Sequence, residues 1–411
     1  MTNKPCRAAL LGAFCITSSL SAMAGQLIFN SDAVDPAPAA VVAALVKGFE
    51  AAHPDVKVKV NVFDQVGYRN SVRTFLAGDA PDVAAWLSGT RASVLAKEGL
   101  FENINDVWEK NGLNDKFKSV ASYMTIDGKK WGVPWSYYQW GIYYRKDIFE
   151  KLKIAPPNTW AELLAASAKL KSNKITPFAI GTKAPWPAGA WFDYLDMRVN
   201  GYEFHMDLTA GKIPYTDKRV HAVFDRWDEL TKPGYFLTNH QSYQWQDAVT
   251  AFAKGDAAMY LMANFAVAKM KEGGLTDAQI GFLQFPEIVK GIPMAEDAPT
   301  ESFFIPARAK NKTDARRFMA YLARPEVQSE MNALIGQLPI HRDAKMKMDV
   351  HQQAGFDMLS NAYALAQFYD RDVAPDMAKA GLDGFQQYML KPADRDAVLN
   401  RLEIVRQRVY K

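Results

Sequence analysis

The chain has 411 residues, 49% hydrophobic and 23% charged, a mixture that excludes a disordered or fibrous protein and is long enough for two domains with cores of their own. The formal net charge is +4, of which Lys4 and Arg7 supply two, so residues 25–411 carry only +2, with acidic and basic residues interleaved along the chain. Such a balance gives no footprint for nucleic acid or for an anionic membrane surface.

The N-terminus reads as a leader. Lys4 and Arg7 precede an apolar run over 8–16, and Ala22-Met23-Ala24 fits the small-residue cleavage rule, which predicts a removable signal peptide over 1–24. The apolar run is far shorter than the roughly 20 residues of a membrane span. A lipid anchor is not expected either, because Phe14 stands before Cys15 where lipid attachment would want a small residue. Cys6 and Cys15 both fall inside the leader, so the expected mature chain can form no disulfide, and its expected location is the periplasm.

Beyond the leader, short apolar strands alternate with amphipathic helices, the pattern of an α/β protein. LIFN (27–30) reads as a strand, 37–53 as a helix with apolar residues at 3.6 spacing, and VKVKVNVF (56–63) as a half-buried strand with strict alternation. A helix over 68–77, a strand PDVAAW (81–86) and a helix in GTRASVLAKEGL follow. Next comes WGVPWSYYQWGIYYRKD (131–147), with seven aromatic rings in seventeen residues; WGVP and GIYYRKD read as strands, with PWSYYQ between them. Thr159 and Glu162 form a capping box for a helix to about Lys171, and TPFAIG (176–181) is a strand. WQDAVTAFAKG is helical, AAMYLM (257–262) and SFFIPA (302–307) are strands, KNKTDARRFMAYL is a helix capped by Thr313, and Pro325 starts another.

In open α/β sheets ligands bind beyond the carboxyl ends of strands, where loops diverge and helix N-termini point inward. Aromatic residues recur at these ends: Trp86 after PDVAA, Trp135, Tyr137 and Tyr138 after WGVP, Trp186 and Trp191 after TPFAIG, and Phe265 after AAMYLM. One half-covered ring is worth roughly 2–3 kcal/mol at about 25 cal/mol per Å², so two or three rings with oriented hydrogen bonds reach micromolar affinity. Sugars suit such a surface, since their C–H faces stack on rings while their hydroxyls need polar partners. Asp32, Gln139, Asp193, Asn264, Glu301 and Asp370 fall in or beside these loops, although each also suits a cap, a turn or surface charge.

Catalytic signatures are missing: the sequence has no HExxH, P-loop, GxGxxG or GxSxG, and its histidines are scattered without ligand spacing. Asp193/Asp196 and Asp225/Asp228 share a helical face in helical segments, a weak sign of glycosidase chemistry. Tyr143-Tyr144 alternate along a strand, so both phenols cannot reach one iron.

Taken together, APDVAAWLSGT, the run from DGKKWGVPWSYYQWGIYYRKD to NTWAELLAASAKL, AFAKGDAAMYLMANF and KNKTDARRFMAYLARPEVQ resemble the extracellular solute-binding protein family 1, the maltose-binding-like proteins that feed carbohydrate ABC importers. The resemblance runs over nearly the whole mature chain. It implies a two-lobed periplasmic-binding type II fold: 25–134 plus 302–336 in the first lobe, 138–300 plus 340–411 in the second, and a ligand cleft between them. It places Trp86, Tyr137 to Gln139, Asn264 and Phe265 on the cleft, with LAQFYDRD supplying Tyr369, Asp370 and Arg371. Phe265 stands where longer-sugar binders of the family commonly have tryptophan, which leaves ligand length open.

The expected function is therefore that of a monomeric, non-enzymatic carbohydrate receptor that needs no cofactor and docks on an ABC permease. Two alternatives stand beside it. An anionic sugar derivative would need a buried cation, which Arg69, Arg91, Arg342 or Arg371 could supply, and an exported glycoside-active enzyme would need paired carboxylates such as Asp193 and Glu301 in one cleft.

Overall fold

The computed structural model describes residues 25–411 together with Met1, so the expected leader lies outside the described residues. The principal strands are Gly25–Ser31 (β1), Val56–Val62 (β2), Val83–Leu87 (β3), Gly132–Tyr137 (β4), Trp140–Arg145 (β5), Thr176–Ala179 (β6), Ala257–Ala263 (β7), Ile280–Leu283 (β8), Glu296–Asp297 (β9), Thr300–Phe304 (β10) and Leu365–Ala366 (β11). Nine of them form two sheets, in the orders β2-β1-β3-β10-β4 and β8-β5-β7-β6. In the first, β1 runs parallel to β2 and β3, and β10 inserts antiparallel between β3 and β4. In the second, β5 is antiparallel to β7 and β8, and β6 is parallel to β7.

Each sheet has its own apolar core. The first gathers Leu27, Phe29, Val83, Val133, Phe303, Phe304 and Phe318; the second gathers Ile142, Tyr143, Phe178, Met259, Leu261, Phe192 and Phe385. The chain is thus two-lobed, and it passes between lobes at Tyr138-Gln139, between β4 and β5, and again along β9 and β11, which pair as a parallel two-stranded ribbon. The helix Val350–Asn361 touches both sides: Phe356, Met358 and Leu359 lie on the first core, while His351 bonds Asp277 in the second lobe at 2.9 Å.

Local chemistry accounts for the element ends. Thr159 accepts from the Glu162 amide and the Glu162 carboxylate reaches back, so the capping box starts the helix Trp160–Ser172 (α1) as expected. The helix Lys312–Leu322 is capped instead by Asn311, whose side chain accepts from the Asp314 amide; this places Thr313 inside the first turn. The edge strand β2 alternates between buried and open positions, whereas every residue of β4 and β5 is buried, because β10 and Leu338 flank β4 and β7 and β8 flank β5.

The segment TKAPWPAGAW, expected as a loop, contributes to a helix, Trp186–Val199 (α2). Proline is tolerated in a first helical turn because its missing N–H would have no partner there. Gly189 does not break the helix; it admits Leu382, whose side chain would lie 2.9 Å from a Cβ at that position.

Candidate ligand-binding cleft

A cleft of about 1020 Å³ opens between the lobes. The first lobe lines it with Asp32 after β1, Arg69, Trp86 on β3, Trp135 on β4 and Glu301 on β10. From the second come Tyr138, Trp140, Trp186, Trp245, Asn264 and Phe265, joined by Phe368, Asp370 and Arg371 beyond β11.

The second-lobe wall is a braced set of rings. Phe265 meets Tyr138 at 5.7 Å, Trp140 at 6.5 Å, Trp186 at 6.3 Å and Trp245 at 5.2 Å, all edge-on, and Trp140 stacks on Phe368 at 4.9 Å. Phe368 adopts φ 151°, which is rare for a side-chain-bearing residue and sits next to the cleft. On the first lobe, Trp86 is anchored by its Nε1 donating to the Arg91 carbonyl at 3.3 Å. Such an apolar wall is preformed and needs no side-chain collapse when a ligand arrives.

Polar groups on the same walls lack partners among the described residues: Arg69 Nε, Trp135 Nε1, Trp140 Nε1 and Asn264 Oδ1 are buried and unpaired. Asn264 spends its other atom across the lobes, its Nδ2 donating to the Gly336 carbonyl at 3.0 Å. Buried polar groups are ordinarily hydrogen-bonded, so this set fits a ligand rich in hydroxyls.

The charged groups are organised around Arg371. Its Nη2 donates to Glu301 Oε1 at 2.8 Å and to the Tyr138 hydroxyl at 3.0 Å, and its Nη1 to the Thr300 carbonyl at 3.3 Å. Burial works against the Arg371 charge, but Glu301, Tyr138 and Asp370 outweigh it. Burial and the charge of Glu301 raise the Asp32 carboxyl above its ordinary range, with Arg69 and Arg371 opposing. Burial pushes the Tyr138 phenol up to about 12, so it remains a hydroxyl at neutral pH.

The candidates from the sequence therefore separate. Asp32, Trp86, Trp135, Tyr138, Trp186, Asn264, Phe265, Glu301 and Asp370 line the cleft. Five do not. Tyr137 is held in β4, paired with Thr300 and Leu338, and its ring joins the first core. Gln139 is fully buried, donating to the His351 carbonyl at 3.1 Å, and it packs where a Cβ on Gly355 would collide at 2.1 Å. Trp191 lies inside α2, enclosed by Phe178, Phe236 and Phe285. Asp193, also on α2, is buried and accepts from the Tyr369 amide at 2.7 Å. Arg342 is exposed and pairs with Asp115 at 2.5 Å. Asp193 and Glu301 consequently do not flank one cleft.

Four lining aromatics are absent from the sequence candidates: Trp140 at the end of PWSYYQW, Trp245 at the start of a helix, Phe303 within the strand SFFIPA and Phe368 in LAQFYDRD. The cluster of rings around WGVPWSYYQW was the available signal for Trp140; nothing local marked Trp245, which a distant segment brings to Phe265.

Behind the cleft, β9, α2 and the segment after β11 bring together a buried acidic cluster. Asp193, Asp196, Glu296, Asp297 and Asp372 are each at most 4% exposed, with Arg198 and His205 among them. Arg198 pairs with Glu296 at 2.5 Å, and His205 bonds Asp196 at 3.0 Å. Burial pushes Asp297 up to about 8 and Asp372 up to about 6. Burial opposes the charge on His205, but Asp196, Asp297 and Asp372 together raise its pKa. Asp372 accepts from the Gln367 amide at 2.9 Å and Asp193 from Tyr369, so these carboxyl groups hold the segment that carries Asp370 and Arg371 into the cleft.

No group of three or more His, Cys, Asp or Glu with metal-holding geometry, and no helix long and apolar enough to cross a membrane, occurs among the described residues. Residues 33–329 match the profile of the bacterial extracellular solute-binding proteins. An uncharacterised ABC transporter extracellular-binding protein of Pyrococcus horikoshii is 28% identical over 312 residues, covering 73% of this chain and 68% of its own. The multiple sugar-binding protein of Streptococcus mutans is 26% identical over 284 residues, covering 68% and 66%. Among solved structures, the bacterial solute receptor AcbH, described as having an exclusive preference for β-D-galactopyranose, superposes with a TM-score of 0.85 at 28% identity over 94% of this chain and 100% of its own.

Proposed function

The chain belongs to the bacterial extracellular solute-binding proteins, and from that membership we propose that it is the carbohydrate-binding component of an ABC importer, holding a mono- or oligosaccharide between its lobes. The observation that carries this reading is the pairing, in one cleft, of a braced aromatic wall with unpaired polar groups on both lobes. Stacking on Phe265, Trp186 and Trp86 supplies affinity, while Asp32, Asn264, Arg69 and Asp370 meet the hydroxyls.

A ligand touching both lobes binds the closed form more tightly than the open one and so shifts the population toward closure. The closed form then docks on the permease. The lobes divide near 134 to 138 and near 300, with 340–364 bridging the two cores. The protein acts as a monomer in the periplasm, exported by a removed leader rather than held by lipid, and performs no catalysis and needs no cofactor.

Thermal unfolding of residues 25–411 against neutral mono- and oligosaccharides, sugar acids and phosphorylated sugars tests the reading. A true ligand at a hundredfold excess over Kd adds about 2.7 kcal/mol and raises the midpoint. A shift caused by a polyamine or a metal ion, with none from any carbohydrate, sinks it.

A further inference from the structure

We infer that Glu301 sets the charge class of the ligand: by occupying the guanidinium of Arg371 it closes the cleft to anions and reserves it for neutral or aminated sugars. The inference rests on the carbohydrate reading of the cleft. A buried guanidinium beside aromatic rings is the ordinary grip for phosphate or carboxylate, because its planar fork matches two oxygens at once. Arg371 has that setting, being 7% exposed on the cleft wall. Its fork is nevertheless already filled, by Glu301 at 2.8 Å, by the Tyr138 hydroxyl at 3.0 Å and by the Thr300 carbonyl at 3.3 Å.

Glu301 lies within β10, opposite Leu87 on β3 and Ser136 on β4, where the register to β4 shifts between Glu301 and Ser302, and its carboxylate is directed to Arg371 at 2.8 Å. An incoming phosphate would have to displace this carboxylate and leave it unpaired among Asp32 and Asp370, which line the same cleft and form no ion pair among the described residues. The outer lysines are committed too: Lys269 to Glu272 at 2.5 Å and Lys271 to Asp277 at 2.8 Å. Arg69 is the remaining lining Arg or Lys, and Asp32, Asp35 and Asp370 share its walls without an ion pair among the described residues. A sugar offering hydroxyl or ammonium donors meets acceptors here; a sugar phosphate meets repulsion.

Calorimetric titration of wild type and of Glu301→Gln with D-galactose, galactose 6-phosphate, glycerol 3-phosphate and inorganic phosphate tests this. Wild type is expected to bind none of the three anions measurably, and Glu301→Gln to gain roughly 10- to 100-fold in affinity for the phosphorylated probes, the range of a hydrogen bond to a charged group. The double variant Glu301→Gln/Arg371→Gln should lose that gain. Binding of an anion by wild type, or no gain in Glu301→Gln, overturns the assignment to Glu301. Should Glu301→Gln not fold, Glu301→Ala takes its place, and the wild-type titrations decide on their own. The anion arms do not depend on which sugar is the ligand, so failure of every neutral sugar in the thermal panel, with Glu301→Gln gaining anions, would count against the carbohydrate reading and leave the role of Glu301 standing.

Discussion

Phe265 and Trp191 both follow strands in the sequence, and both read as rings placed to meet a ligand. Their surroundings separate them. Phe265 stands just past β7 on the cleft wall, half-buried, while Trp191 is enclosed by three aromatic rings inside α2. Replacing Trp191 with alanine should therefore cost about 3–5 kcal/mol of stability, read as a lower denaturant midpoint, and leave the affinity of the folded fraction within a few-fold of wild type. Phe265→Ala should do the reverse, weakening sugar binding by about tenfold or more with a smaller loss of stability. The rule that ligands gather beyond strand ends found Trp86, Asn264 and Phe265 because their positions follow from a strand boundary readable in the sequence. It misplaced Trp191 because prolines and glycines in KAPWPAGAW suggest a turn, when here they serve a helix N-terminus and close packing against Leu382.

The paired strands β9 and β11 show what local pattern does not reveal. Asp193 and Asp196 share a helical face as the sequence suggests, yet both are fully buried, because His205 from the next helix and Glu296, Asp297 and Asp372 from segments distant in sequence enclose them. Five carboxyl groups against Arg198 and His205 cannot all ionise in so dry a site. Burial raises Asp297 to about 8 and Asp372 to about 6, so between the unfolded carboxyl pKa near 4 and these values the folded chain holds more protons than the unfolded one. This contribution to stability is complete below about pH 4 and is lost as pH rises through about 6 and then 8. Thermal midpoints measured across pH 5.5–9 should thus fall for wild type over pH 6–8, and Asp297→Asn, which mimics the protonated carboxyl, should flatten that fall. An unchanged slope in the variant would show that the proton is held elsewhere. The capping box at Thr159 and the strands β5 and β7, in contrast, were legible, since their determinants lie within a few residues of one another.

At the scale of the whole molecule, two cores joined by crossover segments also meet across the cleft through side-chain hydrogen bonds and the Arg371–Glu301 pair. Asn264 to Gly336, Thr90 to the Asp372 carbonyl at 2.7 Å and Arg91 to the Asp370 carbonyl at 2.8 Å are such links. They are individually modest, so a ligand bridging the lobes can govern the balance between open and closed forms. The α/β pattern and the order of motifs made this architecture readable, because strand and helix periods are local. Which side of each lobe faces the cleft depends on packing over hundreds of residues, and it was there that Gln139, Arg342 and Asp193 were misplaced.

A receptor of this kind holds its ligand with both lobes at once. Calorimetric titration of the best-responding neutral sugar into wild type, Trp86→Ala on the first lobe and Phe265→Ala on the second measures it. One site per chain is predicted in wild type, with affinity reduced about tenfold or more by either substitution. Undiminished binding in both variants would contradict the account, because the sugar would then lie outside the cleft.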